Sequence, residues 1–179
     1  MLKLPVILTF ATLAFAGGVH AEPPKGMAAL TMMTGVWRGE AKGVGRDGKP
    51  FTIVQTERVG PMLDGQLLVV EGRGYGDGGK LAFNAFGVIS YDAQSGGYEF
   101  RAYTGGHGGT FPLKLTETGA VWEMPAGPDA IMRFTIDFSK GEWHETGEYI
   151  AGGQAHKTIE LTLKRMADTD WPAAGAVMP

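Results

Sequence analysis

Apolar and polar residues alternate along most of the chain, and the alternation restarts at short clusters of turn-forming residues. Near the start, Trp37, Gly39 and Ala41 share one face of an extended segment while Arg38, Glu40 and Lys42 share the other. Near the end, Ile159, Leu161, Leu163 and Arg165 lie opposite Thr158, Glu160, Thr162 and Lys164. Ten strand-like runs follow one another, at 35–45, 51–60, 66–76, 80–91, 97–105, 110–117, 120–125, 131–138, 142–151 and 156–166. Asp47-Gly48, Asp64-Gly65, Asp77-Gly78-Gly79, Ser95-Gly96 and Ser139-Lys140-Gly141 supply the turns between them. Connections this short join antiparallel neighbours, since a parallel crossover needs about a dozen residues or more. No helical pattern separates the runs, so an α/β architecture is excluded.

One segment, MAALTMM from Met27 to Met33, is rich in helix formers and free of Gly and Pro, which predicts about two helical turns. A ten-strand meander either closes on itself or splits into a sandwich. The chain has 29 glycines in 179 residues, well above the usual share of about 7%. Gly39, Gly43, Gly72, Gly74, Gly87 and Gly147 fall inside strands, where glycine permits the bending that barrel closure requires. The expected fold is therefore all-β, a closed antiparallel meander barrel of about ten strands over 35–166. A segment with a short helix at 22–34 precedes it, and a loose tail at 167–179 follows.

The first residues change the picture of where this barrel resides. A lone Lys3, an apolar run from Leu4 to Ala16 and small residues at Val19 and Ala21 make 1–21 a cleavable secretory signal, too short before its glycine pair to span a membrane. The expected location is periplasmic or secreted, with no membrane span after cleavage. A net charge of −3 gives no basic patch for nucleic acid. Absence of cysteine removes disulfides, thiolate metal sites and thiol nucleophiles.

Gly35-Val36-Trp37-Arg38-Gly39 places a G-x-W motif directly after the short helix, and Leu163-Lys164-Arg165 ends the last strand. With Leu67-Leu68-Val69-Val70-Glu71-Gly72 and Trp143-His144-Glu145-Thr146-Gly147-Glu148-Tyr149, these segments resemble the lipocalin-like, or calycin, superfamily. Within it, they resemble a domain-of-unknown-function family of exported bacterial barrels. The resemblance implies a small lipocalin- or fatty-acid-binding-like barrel with an internal cavity, in which Gly35, Trp37 and Arg165 form a structural signature. There, a basic side chain of the closing strand covers the first-strand Trp. It brings no established activity.

Candidate chemistry is sparse. His144-Glu145 begins like the H-E-x-x-H zinc motif, but the fifth residue is Glu148 and the segment is strand-like, so no metal site is expected. Glu145 and Tyr149 share a face with Trp143, and Arg101 shares one with Tyr103. A buried network of Glu71, Arg101, Tyr103, Glu145 and Tyr149 would satisfy its own charges and present polar groups to a ligand. The competing reading puts Glu71 and Arg101 on the solvent face, because Leu67 and Val69 are no more apolar than Leu68 and Val70. Gly105-Gly106-His107-Gly108-Gly109 reads as a flexible loop at a barrel corner that exposes His107 to a ligand. Its likeness to a lipase oxyanion loop fails because no G-x-S-x-G nucleophile elbow exists.

The residues thus point to binding of a small, largely apolar molecule, with Phe83, Phe100, Trp122, Phe134 and Tyr149 as lining candidates. No catalytic residue is assigned. The alternatives are a packed structural or envelope interaction barrel, an enzyme using His107 or Glu145 with Tyr149 in acid–base chemistry, and a haem-binding barrel. The nitrobindin-like calycins hold haem through one histidine close to the chain end; His156 is the histidine nearest that region, but the sequence around it does not match, so haem is not expected.

Overall fold

A computed structural model describes residues 26–45 and 47–172. The signal-like segment 1–21 lies outside the described residues, as does the tail from 173 onward. Ten strands run in chain order: β1 (Gly35–Val44), β2 (Pro50–Met62), β3 (Leu67–Tyr75), β4 (Leu81–Asp92), β5 (Gly97–Thr104), β6 (His107–Leu115), β7 (Gly119–Gly127), β8 (Ala130–Asp137), β9 (Trp143–Ala151) and β10 (Gln154–Ala167). Each pairs antiparallel with its chain neighbours, and β1 pairs with β10 to close the barrel, as the alternation and short turns predict.

The barrel is a cup with a sealed base. Met27–Met33 is a 3-10 helix rather than an α-helix. Seven residues are too few to sustain an α-helix alone, and Met27, Leu30 and Met33, the three buried residues, repeat at the 3-10 period of three. Trp37 anchors this plug by donating its indole N–H to the Met33 carbonyl at 2.9 Å. Arg165, opposite Trp37 in the β1–β10 register, donates to the Thr34 carbonyl at 3.1 Å. Tyr98 donates its hydroxyl to the Gly26 carbonyl at 2.5 Å, so both ends of the helix are tied to strands. Gly35 has φ +143°, which favours glycine, and a Cβ there would lie 2.9 Å from Arg165 Nε. The signature residues therefore meet at the base. Their shared work is to hold the plug, and among the described residues the cation–π contact is instead Arg58 over Trp171 at 4.3 Å.

Two expectations need correction. The tail was expected to be loose from 167, but β10 runs to Ala167 and 168–171 packs back against β2. Arg58 pairs with Asp170, Arg165 with Asp168, and Trp171 sits beside Gly60 on the outer face. Val69, the register partner of Gly60, is buried on that same outer face, which explains why β3 is apolar on both sides. The glycine stretch does turn a barrel corner, but over fewer residues than expected. Gly105 and Gly106 (φ +56° and +80°) form a two-residue turn, and His107 already belongs to β6.

The wall is thinnest between β6 and β7, which pair only over Leu113–Leu115 and Ala120–Trp122. Pro112, which has no N–H to donate, sits where the pairing stops. At the base, Trp37 packs against Phe138 and Trp143, with ring centroids 5.5 and 5.9 Å away. Trp37→Ala removes that packing and the plug's hydrogen bond together. It is expected to lower the unfolding free energy by about 3–5 kcal/mol, read as a shift of the urea midpoint.

Candidate functional site

Above the base the barrel encloses a cavity of about 620 Å³ that opens at the far end. Its wall is built by the inward face of each strand. Phe51, Ile53, Gln55 and Glu57 point in from β2, Phe100 and Ala102 from β5, Trp122 from β7, Phe134 from β8, and Trp143 and Glu145 from β9. Four aromatic side chains gather on one side. Trp122 stacks on Phe134 with centroids 4.3 Å apart, Phe100 meets Trp122 edge-on at 5.0 Å, and Phe111 lies 5.6 Å away.

Several glycines face these groups because a side chain would displace them. A Cβ on Gly147 would lie 3.0 Å from the Phe134 ring, and one on Gly72 would lie 2.9 Å from both Glu57 carboxylate oxygens. Gly87 and Gly109 stand in the same relation to Phe100 and Phe111. Strand glycines were expected for bending; here they also make room for the rings and one carboxyl.

Two carboxyl groups belong to this apolar wall. Glu57 is 8% exposed and accepts a hydrogen bond from Gln55 Nε2 at 2.7 Å. Glu145 accepts one from the Trp143 indole N–H at 3.0 Å. Burial pushes the Glu57 carboxyl up to about 8, against the opposing Gln55 hydrogen bond, with the charges of Glu145 and Glu71 adding to the rise. Burial likewise pushes Glu145 up to about 7, opposed by Trp143. Glu145 is only half-buried by its own surface, yet the barrel encloses it, so desolvation dominates.

The remaining site candidates divide by face. Phe83, Phe100, Trp122, Phe134, Glu145 and His107 line the cavity, with Phe83 and His107 exposed at its mouth. Tyr103 touches the mouth from outside and is 52% exposed. The proposed interior network is not formed. Glu71 pairs with Arg73 at 2.5 Å and Arg101 with Glu99 at 3.1 Å, both on the outer face, because the inward residues of β3 and β5 are Val70, Gly72, Phe100 and Ala102. Tyr149 shares the face of Glu145 but lies near the end of β9, is 37% exposed and is not part of the cavity lining. Of the histidines, His144 faces outward beside Glu142 and Thr162, and His156 is exposed on β10. Among the described residues no cluster of three or more His, Asp or Glu could hold a metal.

Sequence reasoning missed Gln55 and Glu57, although the signal was present. Phe51, Ile53 and Val59 share their face of the strand, so both polar residues had to enter the apolar interior.

Neither a protein-family model nor a curated protein matches the chain. Among solved structures, the crystal structure of Rv2717c from M. tuberculosis is similar, with TM-score 0.62 and 14% identity, over 81% of this chain and 99% of that one. At this identity the likeness shows the fold, a ten-stranded antiparallel barrel. Among the described residues no helix is long and apolar enough to cross a membrane.

The two raised carboxyls give stability a definite pH dependence. Below the ordinary glutamate range both folded and unfolded chains hold the protons. As pH rises from about 4.5 towards 8, the unfolded chain releases them first, so the folded state loses stability across that window. Glu57→Gln is expected to flatten the decline, read by urea unfolding at pH 5 and pH 8.

Proposed function

We propose that this is an exported calycin-like barrel that binds a small, largely apolar molecule in its interior. The observation that carries the reading is the open, aromatic-walled cavity of about 620 Å³, within the size range of small-molecule sites. A packed structural barrel would fill that space with side chains. Here the inward positions around the rings are Gly72, Ala85, Gly87, Ala102 and Gly109, all small. The leader-like segment 1–21 supports a periplasmic or extracellular setting.

Binding rather than catalysis is the better reading. The lining's hydroxyls belong to Tyr103 and Thr104, the latter donating to the Asn84 carbonyl, and these stand with His107 near the β5–β6 turn at the mouth. Titration with the neutral fluorophore Nile red tests the proposal. Saturable, blue-shifted emission is expected, weakened at least tenfold in Ala102→Trp, which fills the cavity from β5. A wild-type protein that gives no saturable emission would overturn the reading in favour of a barrel that binds nothing inside.

A further inference from the structure

The cavity has an uneven charge balance. Among the described residues its lining contains two carboxyl groups, Glu57 and Glu145, and no Lys or Arg. The nearby arginines are already engaged outside the barrel, Arg73 by Glu71, Arg101 by Glu99 and Arg133 by Glu123. Inside, each carboxyl receives one hydrogen bond, on Oε1 of Glu57 from Gln55 and on Oε2 of Glu145 from Trp143. The other oxygen of each has no hydrogen-bond donor among the described residues. An ionised carboxyl so placed wants a cation, and the basic residue among the described lining, His107, stands exposed at the mouth rather than beside the carboxyls' own strands.

The rings add a second preference. Phe134 pairs in register with Gly147, two residues towards the mouth from Glu145 on β9. Phe134 therefore stands nearer the mouth than Glu145, within the aromatic group it forms with Trp122, Phe100 and Phe111. Its ring faces carry negative charge density, which attracts a cation or its polarised methylene groups and repels an anion.

Resting on the cavity reading above, we propose that the ligand is an amphiphilic amine: its ammonium group is held by Glu57 and Glu145, and its apolar body lies among the four aromatic rings. Towards pH 8, where the acids give up their protons, ammonium donors are matched by the open carboxylate oxygens, whereas a carboxylate or phosphate headgroup would meet like charge with no compensating donor beyond Gln55 and Trp143. The apolar body accounts for the rest of the wall.

Competition against Nile red at pH 8 tests this, with octylamine, octanol and octanoate as matched probes. Octylamine, still protonated there because alkylamines of the lysine type titrate near 10.4, is expected to displace the dye at least tenfold more effectively than octanol, with octanoate weakest. In the double variant Glu57→Gln, Glu145→Gln, the ratio of octylamine to octanol displacement, each measured against that variant's own Nile red affinity, is expected to fall to about one. Should the double variant fail to fold, Glu145→Gln alone is expected to cut the preference at least threefold. Octanol or octanoate equalling octylamine in the wild type would overturn the amine assignment while leaving the cavity reading intact, and so would a preference that survives the substitutions. Failure of Nile red itself to bind would instead count against the cavity reading.

Discussion

Pairing of β1 with β10 is the constraint on which the rest depends. A closed sheet has no edges, and its inward side chains are removed from water whether or not they fill the space. The closing register brings Trp37 opposite Arg165, and these two residues grip the C-terminal end of the 3-10 helix through the Met33 and Thr34 carbonyls. The same contact that shuts the wall therefore seals the floor. Without the floor the interior would be a channel open at both ends, and the carboxyls on its wall would keep their water.

The residues that build the interior work in pairs, one large and one absent. The Phe100 ring lies over Gly87, Phe134 has Gly147 opposite it, and the Glu57 carboxyl has Gly72. Rings and an acid group thus pack against bare backbone, and the centre of the barrel stays open. Burial of two acids in such a space raises both of them above the ordinary carboxylate range. That is an energetic cost in the empty protein, and a ligand bearing positive charge would offset it.

Much of this was legible in the sequence, and the misses have physical causes. All ten strands follow from alternation and turn residues, and the signature from Gly35, Trp37 and Arg165. The start of β6 was hidden because four glycines around His107 look alike in sequence, although only Gly105 and Gly106 adopt positive φ. Glu71 was ambiguous because β3 is apolar on both faces. Val69 is buried on the outer surface next to Gly60, on which Trp171 from the tail packs, and packing between such distant segments is encoded in no local pattern. The helix type depended on which residues the barrel floor could bury, not on the helix-forming tendency of Ala, Leu and Met.

Carbon-detected NMR titration of the glutamate carboxyl groups tests the account most directly, because it observes the two acids themselves. Glu57 and Glu145 are predicted to titrate near 8 and 7, apart from the other glutamates, and to shift downward when octylamine is added. Titration of both in the ordinary glutamate range near 4.3, unmoved by the amine, would mean that water reaches them freely and would contradict an enclosed apolar cavity with an acidic anchor.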